Sequence, residues 1–442
     1  MASAELAQEK TGLGNYFVAN YPPFSFWKPA HLPAAEAALH RPPKSETPLG
    51  LYLHIPFCRK RCKFCYFRVY TDKNARDVET YTDALVREVE IYGQLPIVGG
   101  RPLNFVYFGG GTPSYLSATQ LRHLVERLQR ALPWRGAAEI TFECEPGTLQ
   151  QHKLETLKEL GVTRLSLGIE NFDDEILETN GRAHLSEEIF RAYGWARELK
   201  FDQINIDLIA GMVGETWDKW KETVRKTVAL APECVTVYQM ELPFNTVFSK
   251  ELRVLGQDEP AVSPVADWPT KRAWVRYAME ELVAAGYHAS SAYTLVKDPK
   301  RTRFVYRDSL WHGADMFGTG VASFGHVNGV HLQNVDQWEQ YIGMLAEGRL
   351  PLGRALPVKS DELLIRELIL QLKTGRLDLN YFRDKFGVDV LKRFAAALDE
   401  LEGEGTIVSG PNEVTVTPAG LLQIDRRLPA FFLPEHRGAR YT

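Results

Sequence analysis

Three cysteines fall within eight residues, in the run Cys58-Arg-Lys-Arg-Cys62-Lys-Phe-Cys65. Thiolates are the usual protein ligands of iron–sulfur clusters. Three of them in one tight loop hold three corners of a [4Fe–4S] cubane and leave the fourth iron without a protein ligand. A small molecule with an amino group and a carboxylate can chelate that open iron. The competing reading is a zinc site or three buried thiols. Structural zinc normally takes four Cys or His ligands, and His54 is the only nearby candidate, awkwardly placed on a strand. Cys144 and Cys234 lie on other predicted strands and read as small buried residues.

The elements that position this loop are legible as a repeating pattern. Runs rich in β-branched and aromatic residues occur at 49–55, 103–108, 139–144, 164–169, 203–209 and 235–240. Stretches of helical period alternate with them near 77–94, 117–131, 150–160, 185–199, 215–231 and 266–285. Six βα units in succession imply an α/β fold with a parallel sheet, predicted here as a partial (β/α)6 barrel. Ahead of it, residues 1–48 read as an irregular arm broken at Asn20-Tyr21-Pro22-Pro23-Phe24 and Arg41-Pro42-Pro43. Glycine-punctuated residues 287–350 are expected to continue one barrel edge, giving a barrel domain over 49–350. Over 351–442, a helix from Ser360 with Ser as its N-cap, a second at 391–404 and a hairpin around Gly410-Pro411-Asn412 suggest a winged-helix-like domain. Residues 358–427 hold 10 Lys/Arg against 12 Asp/Glu, so a cover is expected there, not a nucleic-acid surface.

Composition agrees with an ordinary folded domain. The chain has 442 residues, 45% hydrophobic and 24% charged, with a formal charge of -4. No run approaches the ~18 apolar residues of a membrane span. The polar start, Met1 to Gly14, reads as neither signal nor transit peptide, so a cytoplasmic location is expected.

In a βα barrel, functional side chains gather at the C-terminal ends of the strands. Those ends carry Gly109-Gly110-Gly111-Thr112-Pro113, then Glu143, Glu145 and Pro146, then Gly168-Ile169-Glu170-Asn171. Asp207 follows on the fifth strand, and Tyr238, Gln239 and Glu241 end the sixth. Buried Asp207 needs a partner such as Arg182 or a ligand. S-adenosylmethionine (SAM) is a chelator of the kind the open iron admits. One electron from a reduced cluster breaks its S–C5′ bond and releases a 5′-deoxyadenosyl radical.

The run Leu51-Tyr52-Leu53-His54-Ile55-Pro56-Phe57-Cys58, the triple glycine with Thr112-Pro113, and Asn205-Ile206-Asp207-Leu208-Ile209 together resemble one radical SAM family. It is the oxygen-independent coproporphyrinogen III dehydrogenase family, which also holds haem chaperones and class C methyltransferases; the resemblance spans roughly 48–427. It implies that Tyr52 lies beside cluster-bound SAM and that Phe64 contacts its adenine. It implies that Gly110, Gly111 and Thr112 meet the methionine amino group. Glu143, Arg182 and Asp207 would hold amino, carboxylate or ribose groups. A second SAM would border Ser291–Leu295 and Gly318–Gly320, and Tyr52 and Glu170 are the expected catalytic residues.

Three departures stand out. Tyr66-Phe67 follows Cys65 where the dehydrogenases have a further cysteine, Glu170 replaces a usual glutamine, and Leu295 stands where an aromatic is common. On those departures, the expectation is class C methyl or alkyl transfer to an sp² carbon of an aromatic, polyketide-like or tetrapyrrole substrate. Porphyrinogen decarboxylation and haem delivery are the alternatives. The basic residues Arg59, Lys60, Arg61, Lys63 and Arg68 suggest an acidic flavodoxin or ferredoxin donor. Tyr238, Glu241, Trp311 and His312 are candidate cavity residues, and the segment 20–24 a candidate cover.

Overall fold

The computed structural model describes residues 18–44, 46–242, 246–254 and 265–439. The polar start, Met1–Gly14, lies outside the described residues. Six parallel strands run in sequence order: β1 (Leu49–Ile55), β2 (Leu103–Gly110), β3 (Glu139–Cys144), β4 (Arg164–Glu170), β5 (Gln203–Ala210) and β6 (Cys234–Gln239). The helices between them start where the sequence supplies caps. Asn74 accepts from the amides of Arg76 and Asp77, and Asp77 answers on the amide of Asn74. Ser117 and Gln120 repeat the device at the head of Ala118–Ala131. A short helix at Asp174–Thr179, capped by Asp173, was not legible in the periodicity.

Each strand turns alternate side chains to opposite faces. Leu51, Leu53, Val106, Phe108, Leu165, Leu167, Ile204 and Ile206 join the main apolar core under the helices. The other face is polar and aromatic, and it lines the barrel interior.

Residues 287–350 extend both sheet edges, not one. β8 (Thr294–Val296) adds antiparallel to β6, and β7 (His288–Ala289) pairs antiparallel on its outer side. β9 (Asp315–Thr319) pairs parallel with β1, and β10 (Phe324–Val327), β11 (Val330–Asn334) and β12 (Leu352–Pro357) follow antiparallel, making twelve strands in all. β12 thus lies beyond the expected domain boundary yet belongs to the large sheet.

After it come the helix Ser360–Leu372 and a three-stranded sheet of β13 (Arg376–Asp378), β14 (Ile407–Ser409) and β15 (Glu413–Val416), with the helices Leu379–Phe386 and Ala395–Gly403 between, a winged-helix arrangement. Lys359, not Ser360, occupies the N-cap, and Glu362 reaches back to its amide. The described part of the N-terminal segment is ordered. Leu32–Leu39 is helical, and Val18 and Tyr21 enter the C-terminal core. Tyr21 is bonded by the Leu433 amide and His436, so this segment ties β11 to the C-terminal domain.

Candidate active site

The loop after β1 is closed at its neck by backbone bonds from Cys58 to Tyr70 and from Tyr70 to Pro56. Within it the three cysteines are half-buried and free. Thr112 Oγ1 donates to Cys58 Sγ at 3.3 Å, and Arg182 Nη1 donates to Cys62 Sγ at 3.2 Å. Burial pushes the Cys58 thiol up to about 11 and the Cys65 thiol up to about 12.

The donor chemistry fits a cubane. A fourth Cys or His ligand for structural zinc is wanting at the loop, since the remaining cysteines, Cys144 and Cys234, are buried on β3 and β6. His54 is withdrawn from ligation: its Nε2 donates to the Arg68 carbonyl at 3.2 Å, and burial lowers its pKa to about 4.

Glu145 organises the loop from β3. Arg59 grips it with two bonds of 3.2 Å, and His184 Nδ1 lies 2.8 Å away. Burial alone would raise this carboxyl, but His184, Arg59 and Arg182 bring it down to about 2. The basic run therefore serves largely inward. Arg61 bonds the carbonyls of Cys65 and Phe67, and Arg68 that of Asp336.

Above the loop stands a half-buried acid cluster. Glu143 accepts from Tyr107 Oη at 2.7 Å and from the Gly110 amide at 3.1 Å. Burial raises it to about 7, with Asp207 nearby adding to the effect. Glu170 ends β4 with φ +67 and lies 3.5 Å from Arg182; burial raises it too to about 7, against the pull of Arg182. Asp207 is raised by burial and accepts from Ser166 Oγ at 2.7 Å and Asn205 Nδ2 at 2.9 Å. These two residues are its hydrogen-bond partners, and the charges of Arg164 and Arg182 act on it electrostatically. Three acids gathered at the mouth, of which Glu170 alone is in ion-pair reach of Arg182, make a cup that favours a cationic ligand.

The glycine run meets the protein as closely as any ligand. Gly110 has φ +109, and a Cβ there would sit 2.4 Å from the His54 ring. The amides of Gly110 and Gly111 are spent on Glu143 and the Ile55 carbonyl. An ammonium group would meet carbonyl oxygens there.

Tyr52 stacks on Tyr107 with ring centroids 5.7 Å apart, and Phe64 packs beside Ile176, Met212 and Met240 at the ends of β5 and β6. Tyr238 (41% exposed), Tyr66 (45%) and Phe67 (48%) present open aromatic faces. Partial burial raises both phenols.

Leu295 does not join the mouth. It faces the helix layer with Val235 and Val237, while its neighbour Thr294 turns inward to Thr236. The expectation that Leu295 borders a second SAM is corrected by this one-residue phase. Gly318 pairs with Tyr52, but the backbone of Phe324 and Gly325 covers it. Gly320 is buried, its amide held by Glu88 at 2.8 Å. His312 is exposed and meets Tyr381 of the C-terminal domain, and residues 20–24 pack on β11 and the C-terminal domain. Sequence reasoning missed Tyr107, Ser166, Asn205 and His184, whose roles appear only once strands are in register.

A three-cysteine loop after the first strand of a parallel βα sheet, beneath a cup of acids, is the architecture of radical SAM proteins. Residues 52–227 match the family model described as Radical SAM superfamily. The haem chaperone HemW of Bacillus subtilis is 30% identical over 373 residues, covering 84% of this chain and 96% of the relative. The oxygen-independent coproporphyrinogen III oxidase of Synechocystis is 27% identical over 451 residues, covering 97% and 94%. The solved structure of coproporphyrinogen III oxidase HemN from Escherichia coli superposes with a TM-score of 0.80 at 24% identity, over 94% of this chain and 96% of that one. The chain belongs to the radical SAM family that contains these oxidases and haem chaperones. Among the described residues no helix is long and apolar enough to cross a membrane.

Proposed function

We propose that this protein is a SAM-cleaving radical enzyme that oxidatively decarboxylates a propionate side chain of a coproporphyrinogen-type tetrapyrrole. The observation that carries the reading is the likeness to the Synechocystis coproporphyrinogen III oxidase along 97% of the chain, C-terminal domain included. Cys58, Cys62 and Cys65 would hold the cluster. When bound, the cluster and SAM would supply a 5′-deoxyadenosyl radical that takes a hydrogen atom from the propionate; loss of carbon dioxide then leaves a vinyl group and passes one electron to a one-electron acceptor, which turnover must also supply.

The chain's own residues bind and orient. The carboxylates of Glu143, Glu170 and Asp207 favour the cationic groups of SAM, and Arg182 its carboxylate. Phe64 would offer an apolar face to adenine, and Tyr52 would lie beside the cluster-bound SAM. Tyr66, Phe67 and Tyr238 line the substrate recess. An acidic flavodoxin or ferredoxin would deliver the electron beside the cysteine loop, and a second SAM has no support from Leu295.

The 30% likeness to the Bacillus subtilis haem chaperone supports a second reading, haem delivery. Class C methyl transfer rests only on Glu170 and the absent cysteine after Cys65; neither curated relative described above is a methyltransferase.

Anaerobic turnover with SAM, reductant, a one-electron acceptor and coproporphyrinogen III separates the three. Carbon dioxide and 5′-deoxyadenosine without S-adenosylhomocysteine are expected. S-adenosylhomocysteine, with deuterium passing from methyl-labelled SAM into 5′-deoxyadenosine, would replace this reading with methyl transfer. Stoichiometric bound haem and no 5′-deoxyadenosine would replace it with haem delivery.

A further inference from the structure

Glu170 departs from ordinary backbone geometry at the place where it meets the cluster loop. Its φ of +67 is in the region that side chains other than glycine and asparagine rarely enter, and β4 is irregular between Gly168 and Glu170. A residue held in such a conformation at a buried site points to function. The distortion brings its carboxylate, 12% exposed, to within 3.5 Å of Arg182 Nη2. Gly168 makes room for the pair: a Cβ there would lie 3.0 Å from Glu170 Oε1 and 3.4 Å from Arg182 Nη2.

Arg182 is shared. Nη2 donates to the Gly168 carbonyl at 2.5 Å, Nη1 donates to Cys62 Sγ at 3.2 Å, and Nε has no partner. One guanidinium thus joins an acid at the mouth to a sulfur at the cluster position. A hydrogen bond to a ligating sulfur, and positive charge near a cluster, stabilise its reduced state. A carboxylate that draws on the same guanidinium opposes both effects.

We infer that Glu170 is a positioning residue that lowers the reduction potential of the cluster by engaging Arg182, so that this chain's cluster is harder to reduce than it would be with a neutral amide at position 170. The inference rests on the proposed cluster at Cys58, Cys62 and Cys65. The redox event is one electron passing from dithionite, through viologen mediators, to [4Fe–4S]2+, giving [4Fe–4S]+ with no bond made or broken.

The test is a potentiometric titration of the reconstituted full chain without SAM, at pH 8.5, where Glu170 is ionised, read by the electron paramagnetic resonance of the reduced cluster. Glu170→Gln removes the charge and keeps the shape. At a fixed ambient potential its reduced-to-oxidised ratio is expected to rise about tenfold, a positive midpoint shift of ~59 mV for one electron. Glu170→Gly, which suits the backbone conformation and removes the carboxylate altogether, should shift in the same direction and covers the case of a poorly folding glutamine variant. A merely structural role would alter iron content or signal shape and leave the midpoint in place. Unchanged midpoints in both variants, with iron and signal intact, overturn the inference while leaving the proposed function standing. A wild-type protein that forms no [4Fe–4S] signal overturns the proposed function itself, and this inference with it.

Discussion

The two ends of the barrel interior are built from the same strands, four to six residues apart, and they treat charge in opposite ways. At the floor, Glu139 of β3 accepts from the amides of Val305 and Tyr306 and from Thr141. Arg164 of β4 bonds Gln203 at 3.0 Å and Cys234 at 3.4 Å, and lies 4.4 Å over the Phe304 ring. That end is plugged by the helix Val305–Trp311, and its charges are bonded within the chain except at Arg164 Nε, which has no hydrogen-bond partner among the described residues. At the mouth, Glu170 lies 3.5 Å from Arg182, whereas Glu143 and Asp207 are bonded by neutral donors, Tyr107 and the Gly110 amide for one and Ser166 and Asn205 for the other. A floor charge works by being paired permanently; a mouth charge stands ready for a ligand.

The largest effect that tests this contrast is loss of a cysteine. Cys58→Ala, Cys62→Ala or Cys65→Ala should each abolish SAM cleavage and strip most of the ~4 iron per chain expected after anaerobic reconstitution. The urea midpoint of the metal-free chain should stay near wild type, because the fold rests on the two apolar cores. Loss of the fold in these variants would show that mouth and floor are not separable.

The floor should respond the other way. Arg164→Met leaves Glu139 without its compensating charge and should cost about 3–5 kcal/mol in urea unfolding. SAM affinity of the protein that remains folded should be little changed. A large rise in the SAM dissociation constant at unchanged stability would move Arg164 from scaffold to ligand site.

How much of this was legible in sequence follows from the range of the interactions. The cysteine triad and the six strands are local patterns, spacing in one and β-branched alternation in the other, and both appear in place. Pairings across the sheet are not local. Ser166 with Asp207, Tyr107 with Glu143, and Arg59 with Glu145 depend on strand register and on residues 36 to 86 positions apart. Leu295 shows the sharpest limit, because a one-residue phase on a strand decides which face a side chain takes. The glycine run was legible as a close approach. The partner, the His54 ring across β1, was not, and Gly110→Val would now report on packing as much as on ligand binding.

The acid cup makes stability and affinity respond oppositely to pH. Glu143 and Glu170 titrate near 7 in the ligand-free protein, against 4.5 for an ordinary glutamate. Between those values the folded chain keeps protons that the unfolded chain releases, so stability falls as pH rises across this window. A cationic ligand prefers the ionised acids, so SAM should bind roughly tenfold more tightly at pH 8 than at pH 6. Equilibrium dialysis measures the second and urea midpoints the first. Affinity flat across pH 7 would mean that the acids are not the ligand's partners.

The smallest expected effect separates a neutral donor from a charged one at the same cluster. Thr112 Oγ1 gives Cys58 Sγ one hydrogen bond at 3.3 Å, with no charge behind it. Thr112→Val keeps the volume and removes the donor. The valine also stays clear of the Gly110–His54 packing, because only the hydroxyl changes. A net hydrogen bond of about 1 kcal/mol, partly recovered by relaxation, corresponds to a roughly threefold fall in the reduced-to-oxidised ratio at fixed potential. Iron content should remain that of wild type. The direction is opposite to that expected for Glu170→Gln, since one change removes a donor to sulfur and the other frees one. A positive shift for Thr112→Val, the same sign as for Glu170→Gln, would mean that Thr112 does not act on the cluster as a hydrogen-bond donor to sulfur.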